Sequence, residues 1–356
     1  MCVTHKSPSF TVLLFVCALG IISLLGCQQG GQDGQDQQAG SGVIQAGKYT
    51  ILDTRTDQTD RARAKQNVED AIISYPDVDC FVGLWSYNPP AILSAVKDSN
   101  MQGKIHIVAF DEEEDTLQGI KDGHIYGTIA QQPFQFGYQS VSLLTELARG
   151  NDSILPDNGV IYVPVTVVKQ DNVDQFWQNL KDMVASVENA PDQQPPDSDI
   201  QLAFVTNNPA YFWTIAQAGV NKAVQELGVS CEFLIPPDGT AAEQARMVES
   251  LVVRNIDGMA ISPNDPENQI DLINRAAEVM NVICQDSDAP KSNRKCYLGT
   301  NNYAAGREAG RLIKEVLPEG GEIVIFVGKM DVQNAYERRQ GVIDELSDAP
   351  TPPEYQ

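Results

Sequence analysis

The sequence predicts an α/β protein of about two domains, each built on a parallel sheet. Three observations predict it. The chain is 356 residues long, which suggests about two domains. From Tyr49 onward short apolar runs alternate with helical patterns, and strands alternating with helices imply parallel sheets with right-handed crossovers. A proline-rich break, "NAPDQQPPDSD" at 189–199, interrupts the alternation, and a second series opens behind it.

The N-terminal segment comes first. His5 and Lys6 precede the apolar run "FTVLLFVCALGIISLLG" (10–26), and Cys27 follows at once. The run is short for a transmembrane helix and suits the apolar region of a signal peptide. "LLGC" (24–27) resembles the bacterial lipobox, whose cysteine is acylated and becomes the first residue of the mature protein. A plain secretory signal or a single span is the alternative. Residues 1–26 are thus expected to be a lipoprotein signal and 27–48 a flexible tether, because "QQGGQDGQDQQAGSG" is apolar only at Ala39. The expectation is an exported protein, periplasmic or at the cell surface, held to the membrane by lipid on Cys27.

Composition agrees. A net charge of −23 at pH 7 leaves no basic surface for nucleic acid. An acidic surface also avoids anionic lipid, so a membrane link requires an anchor. Hydrophobic residues make up 42% of the chain, ample for packed cores. Beyond Cys27, Cys80, Cys231, Cys284 and Cys296 are too scattered for a disulfide scaffold. Cys284 and Cys296 flank one short loop, where they either pair or stay as buried thiols.

In the first series "YTILDT", "DCFVGLW", "KIHIVAF" and "IYGTIA" read as strands, with helices such as "RARAKQNVEDAIISY" and "AILSAVKD" between them. A helix over 134–149, a strand "VIYVPVTVV" and a helix over 172–187 complete it. The second series has strands "IQLAFVT", "CEFLIP", "IDGMAIS", "NVICQD", "CYLGT" and "GEIVIFVG". Ligands of such sheets bind at the carboxyl ends of the strands. Those ends carry "TNNPAYFW", "SPND", "QDSD", "WSYNPP", "FDEEED" and "QQPF": amides, carboxylates and aromatics, with few cations. Paired acceptors and donors suit adjacent hydroxyls, and aromatic faces suit the C–H faces of a ring. That combination points to a neutral polyol, most simply a sugar.

At this level of detail the chain resembles the periplasmic sugar-binding proteins of the ribose-binding type, the type I solute-binding proteins of ABC transporters. "NNPAYFWTIAQAGVNKAVQELG" is similar to the family's first strand–turn–helix, and "VICQDSDAP" to its fourth strand with a ligand aspartate. "LGTNNYAAGREAGRLI" resembles the segment crossing between lobes, and "IVAFDEEEDTLQGIKDGHIYGTIAQQPFQFG" the second-lobe signature. The resemblance implies two Rossmann-like lobes with parallel sheets on a hinge, a sugar ligand, an inner-membrane ABC permease as partner and no cofactor. A sensory receptor for a sugar or furanose-like signal is the alternative. The order differs from the family's: the segment near Ile200 should come first, and the one near Tyr49 should follow the helix "YERRQGVIDEL". The chain therefore reads as circularly permuted. One lobe is expected from 49–131, 158–187 and 302–348, the other from 132–157 and 199–301, with 188–198 joining the family's usual termini.

The resemblance also assigns residues. Phe212 and Trp213 match the aromatic pair that holds the sugar, with Asn208 or Asn207 beside them; core aromatics at a helix start are the alternative. Asp286, Asp111 and the hinge glutamine Gln131 match ligand-binding positions. Asn88 is a ligand candidate with Trp85 beside it, although an Asn before Pro89 also suits a helix start. Asn334 and Arg338 remain in the motif "QNAYERRQG". Two family arginines are missing, replaced by Ser287 and Tyr336, so ribose itself is not the expected sugar. An enzyme is not expected. His106 and His124 have no zinc spacing, no nucleophile elbow occurs, and "GVIQAGKY" (42–49) fails as a P-loop because Tyr49 stands where Ser or Thr is required. The acids of "DEEED" read as a solvated helix N-terminus rather than a metal site.

Overall fold

The computed structural model describes residues 42–188 and 198–355. The expected signal, Cys27 and nearly all of the joining segment lie outside the described residues. The first series runs β1 (Ile44–Ala46), β2 (Tyr49–Thr56), α1 (Arg61–Ser74), β3 (Cys80–Gly83), α2 (Asn88–Asp98), β4 (His106–Phe110), α3 (Glu114–Lys121), β5 (Gly127–Ala130), α4 (Pro133–Ala148), β6 (Val160–Tyr162), β7 (Thr166–Lys169) and α5 (Val173–Glu188). The second runs β8 (Gln201–Val205), α6 (Tyr211–Leu227), β9 (Ser230–Leu234), α7 (Ala241–Arg254), β10 (Gly258–Ile261), α8 (Ile270–Ala277), β11 (Asn281–Gln285), β12 (Cys296–Gly299), α9 (Asn302–Val316), β13 (Gly321–Val327) and α10 (Gln333–Leu346).

These strands form two sheets, ordered β1-β2-β13-β3-β4-β5-β7 and β6-β12-β11-β10-β8-β9. Pairing is parallel except at the two edges of the first sheet, where β1 meets β2 and β7 meets β5 antiparallel. Interior strands such as β3, β5 and β10 are buried along their whole length. That fits parallel sheets covered by helices on both faces. In the second sheet, β9-β8-β10-β11-β12 is the doubly wound order 2-1-3-4-5 counted from β8. The first sheet gives the same order, β2-β13-β3-β4-β5, when β13 is counted first and β2 second.

Local signals set the helix ends. The Asp60 carboxylate accepts from the amides of Ala62 and Arg63, Thr240 caps α7, and Asn301 caps α9. Each lobe also contains one close helix pair. In α4 and α6, a Cβ on Gly137 would stand 2.0 Å from the Ala216 carbonyl oxygen. In α9 and α10, a Cβ on Gly341 would stand 2.2 Å from that of Tyr303. Only glycine permits either approach. Since α4 and α9 each follow a crossing between the sheets, the crossings are tied directly to α6 and α10.

Two expectations change, and one open alternative is decided. Ile44–Ala46, expected in the tether, is a strand joined to β2 by a two-residue turn with Gly47 at φ 60°. A tight hairpin of this kind needs glycine there, which explains the false P-loop pattern. "VIYVPVTVV" is not one strand. Pro164 has no N–H for a ladder, so the segment breaks into β6 in the second sheet and β7 in the first. Residues 158–162 therefore belong with the second sheet, and that crossing falls at 163–165. Cys284 and Cys296 are free and buried on adjacent strands. Burial pushes their thiols up to about 12 and about 11.

Candidate ligand-binding site

The carboxyl ends of both sheets open onto one cleft of about 2190 Å³. Drug-sized ligands fill pockets of roughly 300–1,000 Å³, so this cleft is open. Among the described residues three segments cross between the sheets: Gln131–Gln132, Val163–Val165 and Thr300–Asn301. They are laced together. The Thr300 hydroxyl donates to Gln131 Oε1 at 2.8 Å, and Gln132 Nε2 donates to Thr166 Oγ1 at 2.7 Å.

On the first lobe Asp111 follows β4. Its carboxylate accepts from Gln131 Nε2 at 2.9 Å, so the cleft aspartate and the hinge share one hydrogen-bonded chain. Burial raises its carboxyl above the usual range, opposed by the Arg338 charge and the Gln131 bond. On the second lobe Asp286 follows β11. Trp213 Nε1 donates to Asn207 Oδ1 at 3.2 Å, Asn207 Nδ2 to Ser262 Oγ at 3.1 Å, and the Ser262 hydroxyl to Asp286 Oδ2 at 2.9 Å. Burial pushes Asp286 up to about 6 despite that bond and the Arg338 charge.

Arg338 is 3% exposed and lines the cleft. Its Nε donates to Asn302 Oδ1 at 2.9 Å and Nη1 to the Leu84 carbonyl at 2.8 Å, with the guanidinium 4.9 Å from the Phe110 ring centroid. Among the described residues no ion pair holds it. Asn334 Oδ1 and Trp85 Nε1 are buried at the cleft wall with no partner among the described residues. Such orphans are costly unless a ligand or water meets them.

The structure thus brings Trp85, Asp111, Gln131, Asn208, Phe212, Trp213, Asp286, Asn334 and Arg338 to one cleft. It separates two roles that the sequence left merged. Asn207 is the amide bound into the Asp286 network, while Asn208 is exposed at the rim. Phe212 is half-buried, but Trp213 is 2% exposed and packs against Phe204, so it is a core ring beneath the wall. Asn88 does not line the cleft. Its Oδ1 accepts from the Trp85 amide at 3.1 Å and its Nδ2 donates to Asp57 Oδ2 at 2.9 Å, which makes it a prop for the Trp85 loop. Tyr336 is 51% exposed and Ser287 lines the wall, so neither replaces an arginine's fork.

Sequence reasoning missed Asp57, Tyr87, Ser262 and Glu112. Asp57 is buried and takes the Tyr87 hydroxyl at 2.5 Å, fixing a ring that lines the cleft. The signal was the polar strand end "TDQTD" (56–60), which follows β2 as the other strand-end segments follow theirs. Glu112 was hidden within an acidic run that otherwise reads as solvated.

Two parallel-sheet lobes, joined among the described residues by three crossings and with polar strand ends facing one open cleft, define a protein of the type I periplasmic binding fold. Residues 23–152 and 202–356 match the family described as Periplasmic binding protein domain, and the chain belongs to it. It is 28% identical over 153 residues to the D-allose-binding periplasmic protein of Escherichia coli (strain K12), covering 40% of this chain and 49% of that one. It is 30% identical over 145 residues to the ribose import binding protein RbsB of Haemophilus influenzae, covering 40% and 48%. The chain spans about half the length of the curated relatives it matches. Among solved structures, an ABC transporter solute-binding protein from Burkholderia graminis in complex with D-arabinose matches with a TM-score of 0.41 at 30% identity, over 44% of this chain and 54% of that one.

Proposed function

We propose that the chain captures a sugar or related polyol between its lobes and presents the closed form to an ABC permease. The observation that carries this reading is the pair Asp111 and Asp286. Each ends a strand of a different sheet, each is held by a neutral donor, and both line the same cleft. Carboxylates so fixed accept from ring hydroxyls, and bonds made only when both walls touch the ligand drive closure. Trp85, Phe212 and Asn334 add an apolar face and unmet polar atoms. The names of the allose- and ribose-binding relatives support the same class of ligand. Mass spectrometry of small molecules released from the purified protein is the test. Recovery of an amino acid or a nucleotide rather than a sugar or polyol would sink the reading. A sensor role is the outcome if deletion leaves uptake of the released ligand intact.

Export with a lipid on Cys27 is part of the proposal, supported by "LLGC" behind an apolar run. Cys27→Ser should then lose labelled-lipid incorporation and leave the membrane fraction; retained label refutes it. The order of the chain is read as circularly permuted. Support comes from the first sheet, which reaches the order 2-1-3-4-5 only by passing from β13 back to β2. The α10 end and the β1–β2 turn also touch, with the Leu346 carbonyl 2.8 Å from where a Gly47 Cβ would stand. A reordered chain running 199–355 and then 42–188 should fold and bind the same ligand; an insoluble product would count against the reading.

A further inference from the structure

Glu112 is a buried carboxylate that the neutral-sugar reading leaves unused. It is 4% exposed, it lines the cleft, and its Oε2 has no hydrogen-bond partner among the described residues. Its charged neighbours are Asp111 and Glu113, both acidic. The nearby cations are committed elsewhere. Arg61 forks onto Glu113 at 2.7 and 3.2 Å, and Arg294 binds Asp288 through Nη2 at 2.7 Å. Arg338 is turned to Asn302 and the Leu84 carbonyl, leaving Lys329 beyond β13. Among the described residues twelve carboxylate side chains line the cleft against these four cationic ones. An acidic surface elsewhere on the chain is solvated, but Glu112 is not. A buried carboxyl among like charges is held well above its usual range by burial and by Asp111.

Building on the sugar-binding reading, we infer that the ligand carries a protonated amine, an amino sugar or amino polyol, whose ammonium meets Glu112. An ammonium offers three donors and a positive charge, whereas a hydroxyl offers one donor and no charge. The ammonium therefore supplies both things that Glu112 lacks, and with it bound the carboxyl ionises. Asp111 and Asp286 remain for the ring hydroxyls. A phosphorylated or acidic sugar meets the same wall with like charge and is rejected.

The test is calorimetric titration of the purified full chain with D-glucosamine, D-galactosamine and D-mannosamine, their neutral parent hexoses and the parents' 6-phosphates. At least one amine should bind about tenfold tighter than its parent, the worth of one added charged hydrogen bond, and no phosphate should bind. In Glu112→Gln, which should fold as well as the parent because glutamine matches the neutral carboxyl in size and shape, that preference should collapse. Neutral hexoses binding as tightly as the amines, or an amine preference unchanged in Glu112→Gln, overturns the inference and leaves the sugar reading standing. Binding of no sugar, neutral or aminated, overturns the sugar reading together with this inference.

Discussion

Asp111 and Asp286 occupy matching places in the two lobes. Each directly follows the fourth strand of its sheet in the 2-1-3-4-5 order, each has a left-handed backbone (φ 61° and 59°), and each amide donates to the next strand, at Ile129 O and Leu298 O. Aspartate tolerates that conformation better than most residues, at a small cost that the surrounding sheet holds in place. The turn lifts each carboxylate off the strand end toward the cleft that both line. Asp111→Ala and Asp286→Ala should each weaken binding of the released ligand by about 2–4 kcal/mol, the scale of a lost charged hydrogen bond with an unmet partner. Both should also lose some stability, because alanine tolerates the left-handed backbone less well and Gln131 Nε2 or the Ser262 hydroxyl loses its acceptor. Titration of both variants checks this: parental affinity in both would place the site elsewhere.

Proton uptake at Asp286 gives a pH dependence. Its carboxyl is raised to about 6 in the folded protein by burial, against about 3.9 in an unfolded chain. The folded state therefore binds the proton more tightly. The stabilisation this provides is fully present below about pH 4 and is lost as pH rises through about 6. Ligand binding runs the other way, because a carboxylate accepting two hydroxyl donors must be ionised. Affinity should rise between pH 5 and 7, and Asp286→Asn should flatten that rise. Titrations at three pH values in both proteins decide it.

The hinge makes a separate expectation. Thr300 is 2% exposed and its hydroxyl is the donor to Gln131, which in turn holds Asp111. Thr300→Val preserves the shape but leaves Gln131 Oε1 unmet, at a cost of about 1–3 kcal/mol. Closure should suffer with it. Small-angle scattering with saturating ligand should show a smaller contraction than in the parent; an equal contraction would separate the hinge bond from closure.

Strand ends were legible in the sequence because apolar runs and polar turns have a short period that survives without tertiary information. The two aspartates stand at such ends, but their expected roles, like those of Gln131 and Arg338, come only from the resemblance to the family. Direction was not legible. Trp213 and Phe212 are neighbours on α6, yet one turns into the core and the other toward the cleft, and periodicity alone does not say which. Asn88 fails for a related reason: an amide beside a cleft serves its own loop when a buried carboxylate such as Asp57 lies behind it. Pro164 could have been read correctly, since a proline cannot sit inside a central strand.

The two aromatics of α6 therefore make opposite predictions. Trp213 is packed against Phe204 and Phe212, with ring centroids at 6.1 and 4.9 Å, and anchors Asn207 through its indole N–H. Trp213→Ala should cost about 3–5 kcal/mol of stability, as large buried aromatics do. It should weaken binding only through the slackened Asn207–Ser262–Asp286 chain. Trp213→Phe should recover most of the stability but not the bond to Asn207, leaving affinity reduced. Phe212 is half-buried against Phe136, so Phe212→Ala should lose less stability and more affinity. Chemical denaturation and calorimetry on the three variants separate the roles. If Trp213→Ala melts like the parent while its binding alone is lost, the indole is a ligand contact after all, and the ring assigned to the core belongs to the cleft.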